Sequence, residues 1–486
     1  MNRKNSSQRR KTFSPNVSNT AKRPLAARIA IAMSIFFAFI IFAALSLCFF
    51  SCKTTPVATE GASKKSPEVI FAEKLQAALE KGTIEDALAL FDTMPKNLES
   101  SYDITLIRAS LLVSANRLDE ATLFVDVLET LDPGNAETLV VKSMIAKAKG
   151  DSKEKSKILK EIIASDPTNS DAYLEMANDQ MLGKRYKQAN VYYMKAIKND
   201  PTNISAYLGS GQCLYYLGYL KEANNAFDHM LEINPKSAPA WGYKAKLDME
   251  KEDYRAALEK VKKAIEYDSD YSDYWIDYGR CLYYTGKWDE AEKAWTHSIE
   301  LDSKNILPYI YRSSLYDERG QYKLAIEDYL KMIKIRPDYY YAYEALGILF
   351  WHENRYDDAR TAFLKAYEYN KNNISYPLMI SACYLKQKKE ADNRKFMQGV
   401  LKNRDTKTTE YAILRLFFDG VNPPAVLNRA KNEENSTLRG KYLYYTGLYF
   451  EIRGDDLTAK NCYNEIIKMQ APMFFEYRLA EWSIKG

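Results

Sequence analysis

The sequence predicts an all-α fold, a solenoid of stacked helix pairs preceded by one N-terminal membrane-spanning or signal segment. Three observations predict it. Pro133, Pro167, Pro201 and Pro235 recur on a constant 34-residue beat, which runs on through Ser269 and Ser303 to Pro337 and Lys371. Twelve residues before these anchors stand Ala121, Ala189, Ala223, Ala257, Ala291, Ala325 and Ala359, with Lys155 as the exception. Apart from the repeats, Ile29 to Phe50 is a 22-residue run, uncharged and mostly apolar. So long a period is the mark of stacked supersecondary units rather than one globular core.

The chain begins with a different material. Residues 1–28 are polar and basic with little apolar periodicity, so a disordered tail is expected. Residues 29–50 are long enough to cross a bilayer as a helix. Arg3, Lys4, Arg9, Arg10, Lys11, Lys22, Arg23 and Arg28 gather on the N-terminal side of the run. Basic flanks stay in the cytoplasm, which would place the repeats outside it, periplasmic in a bacterium. Cys52, after Leu47-Cys48-Phe49-Phe50-Ser51, loosely resembles a bacterial lipoprotein processing site. A retained helix and a lipidated Cys52 are therefore the two anchors expected, with 51–67 as linker.

Within each repeat, every row has a physical task. Twenty-four residues before the anchors stand small residues, among them Ala177, Gly211, Gly279 and Gly347. Two small rows let one helix approach another closely. Eight before the anchors stand large apolar groups, including Phe227, Trp295 and Phe363, to fill the space. Seventeen before stand Gly82, Asn116, Gly150, Gly218, Gly286, Gly320 and Asn354, which tolerate the left-handed turn that ends a helix. Lys184 and Glu252 interrupt that row. Each unit thus reads as a helix, a tight turn, a second helix and a Pro-marked connection. Neither helix can bury its apolar stripe alone, so the units must stack.

Trp or Tyr, then a small residue, Gly, Ala, a large apolar residue and Pro: this order resembles the tetratricopeptide repeat. Ala206–Pro235 (AYLGSGQCLYYLGYLKEANNAFDHMLEINP) and Tyr309–Pro337 are close matches. The resemblance covers nine in-register repeats, about 68–373, and a degenerate tenth at 374–407 carrying Asn393 and Pro377. It implies one array over 68–407, an irregular or degraded repeat at 408–439 around Asn422-Pro423-Pro424, and a terminal unit with a capping helix over 440–486. It also implies a right-handed superhelix whose first helices line a concave groove. Along that groove one row reads Met181, Tyr215, Met249, Tyr283, Asp317 and Trp351, and its neighbour Asn178, Gln212, Lys246 and Arg280. Aromatic residues and Arg dominate interface energetics, so these residues are the expected protein-binding site. The family's chaperone-tail subclass is disfavoured, because Leu174, Leu208 and Ile276 stand where its carboxylate-holding residues belong.

Charge and chemistry narrow the function. Residues 1–65 hold 11 basic residues and one acidic, Glu60. The remainder carries 58 of the 69 basic and 63 of the 64 acidic residues, a net of −5, which lacks the excess of a nucleic-acid binder. Cys213, Cys281 and Cys383 share one repeat position where other repeats have Leu or Ile, so they read as small buried hydrophobes. The three histidines, His229, His297 and His352, show no metal-ligand spacing. No catalytic, cofactor or metal site is expected. The expected function is a non-enzymatic, membrane-tethered scaffold for a protein or peptide partner, in envelope assembly or secretion. A binding component for a small apolar ligand or transporter, and a regulatory subunit of an enzyme, are the alternatives. Oligomeric state and partner identity are left open.

Overall fold

The repeat period becomes a beat of helix starts. A computed structural model describes residues 66–470 and 474–485. First helices begin at Pro67, Tyr102, Ala136, Ser170, Ile204, Ala238, Ser272, Leu307, Tyr340 and Ser375. Second helices begin at Ile84, Leu118, Ser152, Tyr186, Leu220, Tyr254, Trp288, Tyr322, Tyr356 and Glu390. The described residues form 25 α-helices and no strand, an all-helical, solenoid-like succession of pairs. The expected membrane segment 29–50 and Cys52 lie outside the described residues. Among the described residues no helix is long and apolar enough to cross a membrane.

Side chains restart the helix after several of the connections. The Asp166, Asp200 and Asp302 carboxylates accept a backbone N–H two residues on, and so turn the chain. Asn135, Asn169 and Asn203 then cap the next first helix, accepting from Glu137, Ala172 and Ala206 N–H. At the turn inside each pair, Gly218, Gly286 and Gly320 have φ of 82°, 82° and 69°. The interruptions do not relocate the turn. Lys184 and Glu252 adopt φ of 56° and 62° themselves, and neighbouring Gly183 stays at −77°. The reason is the pair of hydrogen bonds that closes the helix: Lys184 and Arg185 N–H donate to Met181 and Gln180, and Glu252 and Asp253 N–H to Met249 and Asp248. Gly82 differs from its row, with φ of −103°. There the second helix is only Ile84–Ala89, continued by a 3₁₀ turn over Leu90–Thr93.

The small and large rows interlock within a pair. A Cβ added at Gly211, Gly279 or Gly347 would lie 2.5, 2.4 or 2.7 Å from the ring of Phe227, Trp295 or Phe363. Ala223, Ala257, Ala291, Ala325 and Ala359 are fully buried. The two polar residues that break this alanine row are fully engaged. Lys155 is 4% exposed and its ammonium lies 2.7 Å from both Glu175 and Asp179. Asn393 accepts from the Ser381 hydroxyl and donates to the Phe417 carbonyl at 2.8 Å. Burial alone would push the Lys155 ammonium down, but its bonds to Asp179 and Glu175 hold it above the ordinary lysine range.

The described residues divide into two compact units, one up to residue 247 and one from residue 248, with the division inside helix Ala238–Glu250. The first unit's core is a series of small clusters, one for each stretch of neighbouring helices. In the second, one large cluster reaches from Tyr316 to Ala480. The segment expected as irregular, 408–439, holds helices Thr409–Asp419 and Pro423–Lys431, the first starting one full repeat period after Ser375. Left-handed Gly420 and Asn422, then Pro423 at the helix start, make this pair shorter than the others. Helix Ser436–Ile452 follows with Tyr442 through Tyr449 all buried, which makes it the centre of this end. Cys213, Cys281, Cys383 and Cys462 are buried thiols, and burial raises the Cys213 thiol to about 12 and the Cys462 thiol to about 11.

Candidate functional site

The predicted binding residues all sit on first helices, and each row repeats one register position. In the first unit, the Asn178 side chain accepts from the Tyr193 hydroxyl at 2.8 Å. The Met181 sulfur lies 3.5 Å from the Cys213 thiol. Tyr215 meets Tyr216 and Tyr243 edge-on, at 5.7 and 6.0 Å between ring centres. Gln212 and Lys246 are half-buried on the same helices. These residues face their neighbours in packing and leave part of each side chain at the surface.

In the second unit, Met249 departs from the expectation. It is 6% exposed, so it is a packing residue and presents no surface to a partner. Arg280 bonds Asp277 at 3.1 Å and lies 5.7 Å over the Tyr311 ring. Burial works against the guanidinium charge, but the Tyr311 and Asp277 oxygens outweigh it and raise the pKa. The Tyr283 hydroxyl donates to the Glu318 carboxylate at 2.7 Å. Burial first, then that carboxylate, raises this phenol to about 12. Trp351 meets Tyr356 at 5.2 Å. Of the paired aromatics, Tyr216 and Tyr284 are the exposed members, stacked on Tyr186 and Tyr254 at 5.0 and 4.2 Å.

Sequence reasoning missed part of the second unit's surface. Asp317, in the same row as Tyr283 and Trp351, receives a two-pronged ion pair from Arg478, at 2.5 and 2.6 Å. Trp482 stacks on His352 at 4.0 Å and meets Tyr322 at 5.5 Å. Both Arg478 and Trp482 belong to the terminal helix Phe475–Lys485. The helix expected as a cap therefore also covers part of the predicted row. The available signals were the lone acidic member of that row and an Arg and a Trp four apart on an amphipathic terminal helix.

One further feature lies off the predicted rows. An open pocket of about 740 Å³ lies between helices Ser152–Ser165 and Ser170–Leu182 in the first unit, rimmed by Lys153, Lys157, Lys160 and Arg185 together with Glu161 and Asp179. Among the described residues, no group of three or more His, Cys, Asp or Glu side chains is placed to hold a metal ion.

Comparison with known proteins places these repeats in a class. Residues 248–295 and 312–374 match two sequence profiles of the tetratricopeptide repeat. The chain carries tetratricopeptide repeats, the class that its all-helical pairs define. It is 26% identical over 286 residues to a TPR repeat-containing protein of Methanocaldococcus jannaschii, covering 54% of this chain and 49% of that one. It is 24% identical over 217 residues to human DnaJ homolog subfamily C member 7, covering 42% of this chain and 44% of that one. A crystallised tetratricopeptide repeat protein from Parabacteroides merdae is 20% identical with a TM-score of 0.40, over 50% of this chain and 97% of the other. The chain spans less than half the length of the curated relatives it matches, and 14% of the Arabidopsis thaliana CTR9 homolog.

Proposed function

We propose that this protein is a non-enzymatic scaffold that binds a protein or peptide partner on the first-helix faces of its repeats. The observation that carries the reading is the row of half-buried aromatic and polar side chains at repeat spacing, Tyr215 in one unit and Arg280, Tyr283 and Trp351 in the other. Such groups are already ordered by neighbours, so a partner that covers them loses little side-chain entropy. The long apolar run and its basic flank support a membrane tether with the repeats outside the cytoplasm, through residues 29–50 or a lipidated Cys52. A membrane-anchored bacterial protein working in envelope assembly or secretion fits that arrangement.

The test has two arms. A partner is recovered from native membranes by cross-linking to the full chain, and its affinity is measured for Tyr215→Ala, Tyr283→Ala and Trp351→Ala. Each anchor is expected to cost about 2 kcal/mol of binding. Wild-type affinity in all three, with helicity unchanged, would refute the first-helix reading. Palmitate labelling of wild type and Cys52→Ala then separates the anchors: label lost in the variant marks lipidation, and no label in either marks the retained helix. Full-length protein found wholly in the soluble fraction would refute both.

A further inference from the structure

We infer that the first-helix face of the second unit is a helix-recognition site whose resident ligand is the chain's own terminal helix, Phe475–Lys485, and that its external partner is an amphipathic helix presenting an arginine and a tryptophan four residues apart. The inference rests on the protein-binding reading above and names the chemistry of the partner.

The terminal helix does two different things on its two faces. One face is buried in the second unit's core. Leu479 and Ala480 are enclosed there. Glu476 accepts from the Ser375 hydroxyl and, at 2.8 Å, from the Tyr445 hydroxyl. The other face lies at the edge of that core, where Trp482 and Tyr322 pack against it only partly buried. Arg478 and Trp482 reach across to side chains of the repeat array, and both remain half-exposed. The two are one helical turn apart and therefore project together. Arg478 forks onto the Asp317 carboxylate, and its guanidinium lies 4.1 Å over the Trp482 ring and 5.6 Å over Tyr322. Trp482 closes the group against His352.

These contacts have the chemistry of an interface. A two-pronged Arg–carboxylate pair and a stacked Trp are the groups that anchor one protein on another. A solenoid end needs a polar surface and no ion pair reaching back to Asp317, far earlier in the chain. The array side offers the complement: Asp317 for a cation, and Tyr322 and His352 for an aromatic face. A partner helix with the same Arg and Trp satisfies the same groups, so partner and terminal helix compete for one site.

The probe is a labelled synthetic peptide of residues 474–485, FFEYRLAEWSIK, titrated against the full chain by fluorescence anisotropy. Wild type is expected to bind it weakly, because the site is filled. Full-length Arg478→Glu/Trp482→Ala is expected to bind it at least about tenfold more tightly. Adding Asp317→Arg removes the gain, and a peptide with Glu in place of its Arg restores it. Equal peptide affinity in wild type and the double variant overturns the inference. If the double variant does not fold, Trp482→Ala alone is compared with wild type by hydrogen exchange. Faster exchange confined to 475–485 supports a dockable helix, and loss of protection through 436–468 overturns it in favour of a purely structural cap. Failure of the peptide arms while Tyr215→Ala and Tyr283→Ala still weaken the recovered partner would sink this inference alone.

Discussion

Gly279→Ala isolates the interlock between the small and large rows. The new Cβ would lie 2.4 Å from Trp295 Nε1 and 2.6 Å from Cδ1, where ordinary contact begins near 3.4 Å. The indole must retreat by about 1 Å, in a core without free volume. Trp295 is 1% exposed, and its N–H donates to the Ile276 carbonyl at 3.2 Å, so the retreat also strains that bond. Overpacking costs about 1–3 kcal/mol and a weakened hydrogen bond about 0.5–1 kcal/mol, while alanine contributes about 1 kcal/mol of helix propensity. The net is a loss of about 0.5–3 kcal/mol, or about 2–4 °C in Tm per kcal/mol for a unit of this size. Gly399→Ala is the control, because Gly399 lies in helix Glu390–Leu401 with nothing within 4 Å of its added Cβ. It should raise Tm by a few degrees through propensity alone, about 1 kcal/mol. Thermal unfolding by circular dichroism, with hydrogen exchange of 272–301, reads both. Equal shifts in the two variants, or a rise in Gly279→Ala, would refute the packing argument. Trp295→Leu in the Gly279→Ala background should relieve the overlap, so the two losses should not add.

Three further outcomes are expected. Glu252→Gly and Lys184→Gly should each stabilise the fold by about 0.5–1 kcal/mol, since both residues hold left-handed backbone, and unchanged denaturation midpoints would contradict this. Lys155→Ala restores the small row but strips a buried cation from Glu175 and Asp179. A loss of about 1–3 kcal/mol is expected, reduced because both carboxylates are partly exposed and Lys147 still bonds Glu175, and Lys155→Ala/Glu175→Leu/Asp179→Leu should recover most of it. His352, between Trp482 and Tyr322, has its pKa lowered first by burial and then by Arg478, against the opposing pull of Glu353 and Asp317. The docked state therefore favours the neutral ring. Docking of the terminal helix is complete above the free-histidine value of about 6.5 and weakens as pH falls from there through the lower docked-state value. Hydrogen exchange of 475–485 between pH 5 and 8 should show this dependence in wild type and lose it in His352→Gln.

The sequence by itself determined the helix pairs and their register. Rows of Ala, Gly, large apolar residues and Pro at one period can be satisfied only by helices that start and stop on that period, and they do, from Pro67 to Ser375. It also determined the buried character of Cys213, Cys281 and Cys383, which stand where other repeats place Leu or Ile. A further row was equally legible and went unread: the Asp and Asn residues that bracket Pro167 and Pro201 turn the chain and cap the next helix. Tertiary structure alone decided what happens where a row breaks. Lys155 and Asn393 stay in place because partners on other helices satisfy them. It alone decided the fate of the candidate row as well. Periodicity assigns a residue to a face, but whether that face is buried, open or covered depends on what packs against it. Met249 is enclosed by its neighbours, and Asp317 is met by Arg478 from the far end of the unit. No local pattern records a contact between residues 161 positions apart, because it forms only once the intervening helices have set the two in reach.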